Sequence, residues 1–214
     1  MLTLELAKEL LSTTTTEEHL FLHAKNVMAA MGGLAVHFGE NKEHWMAIGY
    51  LHDYDYEQHP EEHLKYTEEP LKAAGLSDEE VRAILAHGYG VVNEVEPLTA
   101  AGLTQEEIRA ILAHGYGHVN DVEPVTNLEK SLYTVDELTG IVQAAARMRP
   151  LGITDMEISS FMKKFKDKKF AAKCDRELIK NGCALLGMEV KAVAEIVIEA
   201  MKAHAEELGL GPKE

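Results

Sequence analysis

The chain has 214 residues, 46% of them hydrophobic, with a formal charge of −15 and two cysteines. That is enough apolar material for one domain with a full core and no disulfide staples, and the acidic excess sets most of the surface against a nucleic-acid backbone. No apolar run approaches the roughly 18 residues a membrane span needs, and the start MLTLELAKELL has neither a basic flank nor a cleavage site, so a cytoplasmic protein that engages no membrane is expected. Cys174 and Cys183 lie in a predicted helical region and read as reduced, packed thiols. Eleven histidines against five phenylalanines are the feature to be explained.

In chain order the predicted elements are all helices. Thr15 and Glu18 fit a capping box opening a helix to about Gly39, with Leu20, Val27, Met31 and Leu34 as its apolar stripe. A second helix runs from about Lys42 to Tyr54, apolar nearly all round and therefore central. Pro60 suits the first turn of a third, ending near Gly75. Ser77 with Glu80 opens a helix closed by Gly88, and Thr104 with Glu107 opens its duplicate, closed by Gly115. Thr126 with Glu129 opens a long helix that Pro150 stops, and Thr154 with Glu157 opens the next. Two more run from about Asp167 and from about Met188 to Leu208. No stretch alternates with period two, so the fold class is all-α.

Residues 71–97 and 98–124 are tandem copies of one 27-residue helix-turn-helix unit, identical at 21 positions. Two copies are too few for a solenoid. The simplest account is duplication inside a single domain spanning residues 1–214, with one copy seated in the bundle and the other extruded on the surface or swapped onto a neighbouring molecule in a homodimer. A compact insert whose ends meet is tolerated because loop closure grows only logarithmically with length. His87, in ILAHGYG of the first copy, is in good register with the residues before it. His114, at the same place in the second copy, is in good register with those after it, and is narrowly preferred.

The stretch YLHDYDY places His52 and Asp53 side by side. Unpartnered and buried, such a pair is costly, so it is either a salt-bridged or capping pair, or it shares a metal ion. His23 upstream and Asp136 downstream complete the order H…HD…D. With HLFLHAKNVMAAM, GYLHDYDYEQHPEEH, VEPVTNLEKSLYTVDELTGIV and FMKKFKDKKFAAKCDRELI, the chain resembles the HD-domain superfamily of metal-dependent phosphohydrolases, and most closely its short HDIG-type predicted hydrolases. The likeness covers nearly the whole chain except one copy of the repeat.

The resemblance implies a helical bundle in which His23, His52, Asp53 and Asp136 hold one divalent ion. Many relatives add two histidines and a second ion bridged by the HD aspartate. The candidates here are His63 and then His87 or His114. The imidazole and carboxylate set suits Fe, Mn, Co, Ni or Zn. The implied reaction is hydrolysis of a small phosphorylated molecule, a nucleotide among the candidates, in which Lewis acidity activates water and steadies charge on the phosphate. Asp53 takes part directly. Asp55 is either a proton acceptor or partner of the ligands, or a helix-end carboxylate in water. Lys163, Lys164 and Lys166, within the run MKKFKDKKFAAK, and Arg147 are candidates to hold the phosphate, or form a solvated basic face. His19, His37, His44 and His204 read as surface or packed residues, and His118 as a possible substrate contact. Two other functions remain open at this point: a di-iron oxygenase of the same family, and a metal-binding or oligomeric module that the duplication has inactivated. No Walker loop, GxSxG or CxxC supports nucleophilic serine or cysteine chemistry.

Overall fold

The computed structural model describes residues 2–60, 67–85 and 124–213. These residues form nine helices and no strand: α1 Leu4–Thr14, α2 Glu18–Phe38, α3 Lys42–Leu51, α4 Glu68–Ala73, α5 Asp78–Leu85, α6 Asn127–Arg147, α7 Ile158–Lys166, α8 Arg176–Leu185 and α9 Val190–Ala203. The all-α expectation holds. None of these helices is long and apolar enough to cross a membrane.

α2 is the hub, packing against α3, α6 and α9, while α1 covers α3 and α8 covers α6. Its buried set is wider than the predicted stripe, running through Val27, Met28, Ala29, Ala30, Met31, Leu34 and Ala35, because it is touched from three sides. Gly39 closes it in the left-handed region at φ 74°, as its sequence position suggests. α3 is buried from Trp45 to Leu51, which fits its apolar character all round.

α2 and α3 cross at Gly49. A Cβ there would lie 3.1 Å from the Val27 carbonyl oxygen and 3.2 Å from Met28 Cα, both backbone atoms of α2. Only glycine lets the two helices meet so closely, and that approach brings the ends of interest together.

Several helix starts differ from expectation. α1 was not anticipated; Thr3 caps it by accepting from the Leu6 amide. α2 starts after Glu17 with no side-chain cap of its own. Instead the Glu57 carboxylate, from the turn beyond α3, accepts from the Thr16 and Glu17 amides and the Thr16 hydroxyl. α3 stops at Leu51, so His52 and Asp53 lie in the turn that follows rather than within a helix. At α7 the cap is Glu157, and Thr154 spends its hydroxyl on the Leu151 carbonyl. The helix expected from Asp167 begins only at Arg176, capped by Asp175.

Two boxes stand as predicted. Thr126 and Glu129 bond each other's backbone at the start of α6, and Ser77 and Glu80 do so at α5. Residues 71–85 of the first repeat copy pack on the bundle through Leu71, Leu76, Val81 and Ile84, all 6% exposed or less. Glu80, 2% exposed, also accepts from the Leu2 amide and faces His44 Nδ1 at 3.5 Å. The remainder of that copy from residue 86, the second copy up to residue 123, and with them His87, His114 and His118, lie outside the described residues, as does His63.

Candidate metal centre

Three elements bring three donors, His23, His52 and Asp136, to one point, with Asp53 beside the two imidazoles. His23 projects from the second turn of α2, His52 and Asp53 from the turn after α3, and Asp136 from the middle of α6. His23 Nε2 lies 3.0 Å from His52 Nε2, 3.0 Å from Asp136 Oδ1 and 3.4 Å from Asp53 Oδ2. His52 Nε2 lies 3.3 Å from Asp53 Oδ2 and 3.6 Å from Asp136 Oδ1. His23, His52 and Asp136 each offer a ligand atom within 4.8 Å of the other two, and Asp53 joins them through both imidazoles.

The turn that carries His52 and Asp53 is held from both sides. The His52 Nδ1–H donates to the Gly49 carbonyl at 2.8 Å, satisfying one of the unpaired carbonyls at the end of α3. It also fixes the ring so that Nε2 presents its lone pair to the other donors. Across the turn, the Thr14 hydroxyl donates to the Tyr54 carbonyl, and Glu57 ties the same turn to the start of α2. Tyr54 is 7% exposed and His52 is fully buried.

The electrostatics follow from this crowding. Burial disfavours a charged His23, but the hydrogen bond and charge of Asp136, with Asp53 and Glu137 behind it, outweigh burial and push its pKa up to about 9. Burial likewise favours a neutral Asp136, yet the hydrogen bonds and charges of His23 and His52 hold its carboxyl well below the usual range. Glu137 goes the other way: burial, and then the charges of Asp136 and Asp175, raise it, although the Asp175 amide donates to its Oε2 at 3.0 Å.

The donor set fits a divalent transition ion. Nitrogen and oxygen ligands bonded at about 2.0–2.2 Å to one ion are separated from each other by roughly 3–3.6 Å, and the separations among His23, His52 and Asp136, 3.0, 3.0 and 3.6 Å, fall in that interval. The backbone bond of His52 Nδ1 is the outer support that metal-ligating imidazoles almost always have.

Other predicted residues fall elsewhere. Asp55 is 2% exposed in the turn after α3, so its alternative reading as a carboxylate in water does not hold. Lys163, Lys164 and Lys166 occupy the last turn of α7, where they complement the helix dipole. Lys164 Nζ sits 5.0 Å from the centre of the Phe170 ring, and Arg147 is exposed at the end of α6. His44 is packed, as expected, against Glu80. Gly49, Glu57 and Glu137 were missed from sequence. Only Gly49 carried a signal, as a glycine three residues before a histidine in an otherwise bulky helix.

No curated protein and no solved structure matches the chain. The family model of the HD domain matches residues 20–141, which is more than half of the chain and contains His23, His52, Asp53 and Asp136. HD domains bind divalent metals, and the convergence of imidazole and carboxylate donors at the junction of α2, α3 and α6 is a site suited to one. The chain belongs to the HD-domain family.

Proposed function

We propose that this chain is a metal-dependent phosphohydrolase acting on a small phosphorylated molecule. The observation that carries the reading is the meeting of His23, His52, Asp53 and Asp136 within 3.0–3.6 Å along five donor pairs. These four residues would hold a divalent ion, which supplies Lewis acidity to water and to the phosphate. His52 orients its free nitrogen through Gly49, and Asp136, kept ionised by its two imidazoles, supplies charge at every physiological pH. Asp53, close to both imidazoles, would complete the set. Asp55, buried two residues further on, is the candidate to accept a proton. His63 and one repeat histidine would supply a second ion site.

The experiment is hydrolysis of p-nitrophenyl phosphate and a panel of sugar and nucleoside phosphates by protein loaded in turn with Mn, Co, Ni, Zn or Fe(II). Metal-dependent release of phosphate, abolished in Asp136→Asn, supports the reading. Absence of turnover with every metal and every ester, together with dioxygen consumption by the iron-loaded protein, would replace it with an oxygenase.

A further inference from the structure

Beyond the metal centre, the segment between α7 and α8 forms an open hollow of about 480 Å³ whose wall includes the exposed Lys166, Lys168, Lys173 and Lys180 together with two carboxylates, Asp175 and Glu177. In a chain with 36 acidic and 21 basic residues, chance would surround such lysines with carboxylates. Lys180 does pair with Glu177, at 2.6 Å. Lys166, Lys168 and Lys173 make no ion pair among the described residues. Three like charges around one hollow repel one another, and the repulsion is relieved when an anion enters.

The hollow is also built, not merely charged. Arg176, also in the wall, keeps its positive charge while its guanidinium donates to the carbonyls of Phe165, Asp167, Phe170, Ala171 and Cys174. One side chain thereby pins the whole loop that carries Lys168 and Lys173 to the end of the helix that carries Lys166. The first amides of α8 are taken by the Asp175 carboxylate, so the attraction comes from the basic side chains rather than from the helix N-terminus.

Position then gives the ligand class. Cys174, part of the cavity wall, packs so closely on α6 that a Cβ at Gly140 would lie 2.9 Å from its Sγ. Gly140 is one helical turn beyond Asp136, a rise of about 6 Å. The next residue, Asp175, is bonded through its amide to Glu137. The lysine hollow therefore adjoins the α6 face that carries the metal-centre carboxylate.

Resting on the hydrolase reading, we infer that this hollow receives the phosphoryl groups of the substrate other than the one attacked, so that the preferred substrate class carries two or more phosphoryl groups. Of the basic residues singled out from the sequence, Lys166 belongs to this subsite, with Lys168 and Lys173 beside it. Lysine suits the role as a point charge that adapts to a flexible phosphate chain.

The test has two arms. Inorganic tripolyphosphate and inorganic phosphate are titrated calorimetrically into full-length protein stripped of metal, for the parent and for a Lys166→Gln, Lys168→Gln, Lys173→Gln triple variant. The expected result is saturable tripolyphosphate binding, weaker by roughly tenfold or more in the triple variant and for phosphate alone, and falling with added salt. No saturation, or equal binding by parent and variant, overturns the site. In the second arm, metal-loaded protein hydrolyses a diphosphate ester and its monophosphate counterpart, and the triple variant raises KM for the diphosphate alone. An unchanged KM ratio alongside lost tripolyphosphate binding overturns the subsite and makes the hollow a separate effector site. Should neither ester turn over, the hydrolase reading fails by itself, and the metal-free titration still decides the anion site.

Discussion

His23 Nε2 stands 3.0 Å from Asp136 Oδ1, and that contact sets how protons compete with a metal ion for the site. Burial opposes the imidazolium, but Asp136 and Asp53 raise its pKa to about 9. A proton and a divalent ion need the same nitrogen lone pair, so below about pH 9 binding must displace the proton. Metal affinity is expected to rise by about tenfold per pH unit from neutrality, levelling near pH 9. The sign for stability is opposite. The folded pKa lies above the unfolded value of 6.5, so this group stabilises metal-free protein fully below pH 6.5 and the contribution fades as pH rises through 9. Melting curves of the stripped protein and chelator-competition titrations between pH 6.5 and 9.5 check both; an affinity independent of pH would remove the shared-lone-pair account.

Asp53 reaches both imidazoles, at 3.3 and 3.4 Å, while its backbone lies in a turn held by Thr14 and Glu57. Asp53→Ala should therefore drop bound metal from stoichiometric to background while the helical circular dichroism stays intact. Elemental mass spectrometry of the purified variant reads the outcome. Stoichiometric metal in that variant would show that Asp53 is not a ligand.

Gly49 serves the site twice, through its carbonyl bond to His52 and through the close crossing of α2 and α3. Gly49→Ala places a methyl group against Val27 and Met28 backbone, which cannot yield as a side chain can. Overpacking of this kind costs about 1–3 kcal/mol, and the separation of the helices should weaken metal binding as well. At Gly32 a Cβ would meet the flexible Met46 side chain, so Gly32→Ala should be milder and spare metal content. Chemical denaturation and metal analysis of the pair test the contrast. Equal effects would mean that the crossing does not govern the site.

The helical fold and the convergence of His23, His52 and Asp136 were legible because both signals are local or ordered along the chain. Thr126 with Glu129 and Ser77 with Glu80 write their caps within four residues, and H…HD…D appears as a sequence order. What was not legible depends on distant partners. The start of α2 is satisfied by Glu57, 41 residues away from Thr16, so the nearer Thr15 and Glu18 misled. The segment from Asp167 to Asp175 has helix-forming residues, but Arg176 claims its carbonyls and holds it as turns. His52 and Asp53 sit just past the end of α3 because the His52 ring, not a further residue's amide, satisfies Gly49.

The repeat leaves one contest that the seat of α5 can decide. Glu80 gathers the Leu2 amide, the Ser77 cap and His44 into one buried carboxylate, and Val81 and Ile84 beneath it are 1% and 0% exposed. Glu80→Ala leaves those donors without their acceptor, a loss of about 1–3 kcal/mol. The second copy repeats the same positions as Glu107, Ile108 and Ile111. If the first copy alone holds the seat, Glu107→Ala changes stability by less than about 0.5 kcal/mol. On that footing His87, not the sequence-preferred His114, follows the seated helix, and His87→Ala should lower metal content per chain while His114→Ala leaves it intact. Comparable destabilisation by Glu80→Ala and Glu107→Ala, with each histidine variant retaining half or more of the metal, would instead mean that the copies exchange in one seat. The two pairs of variants answer independently, one through folding and one through the metal, so agreement between them would tie the repeat register to the composition of the site.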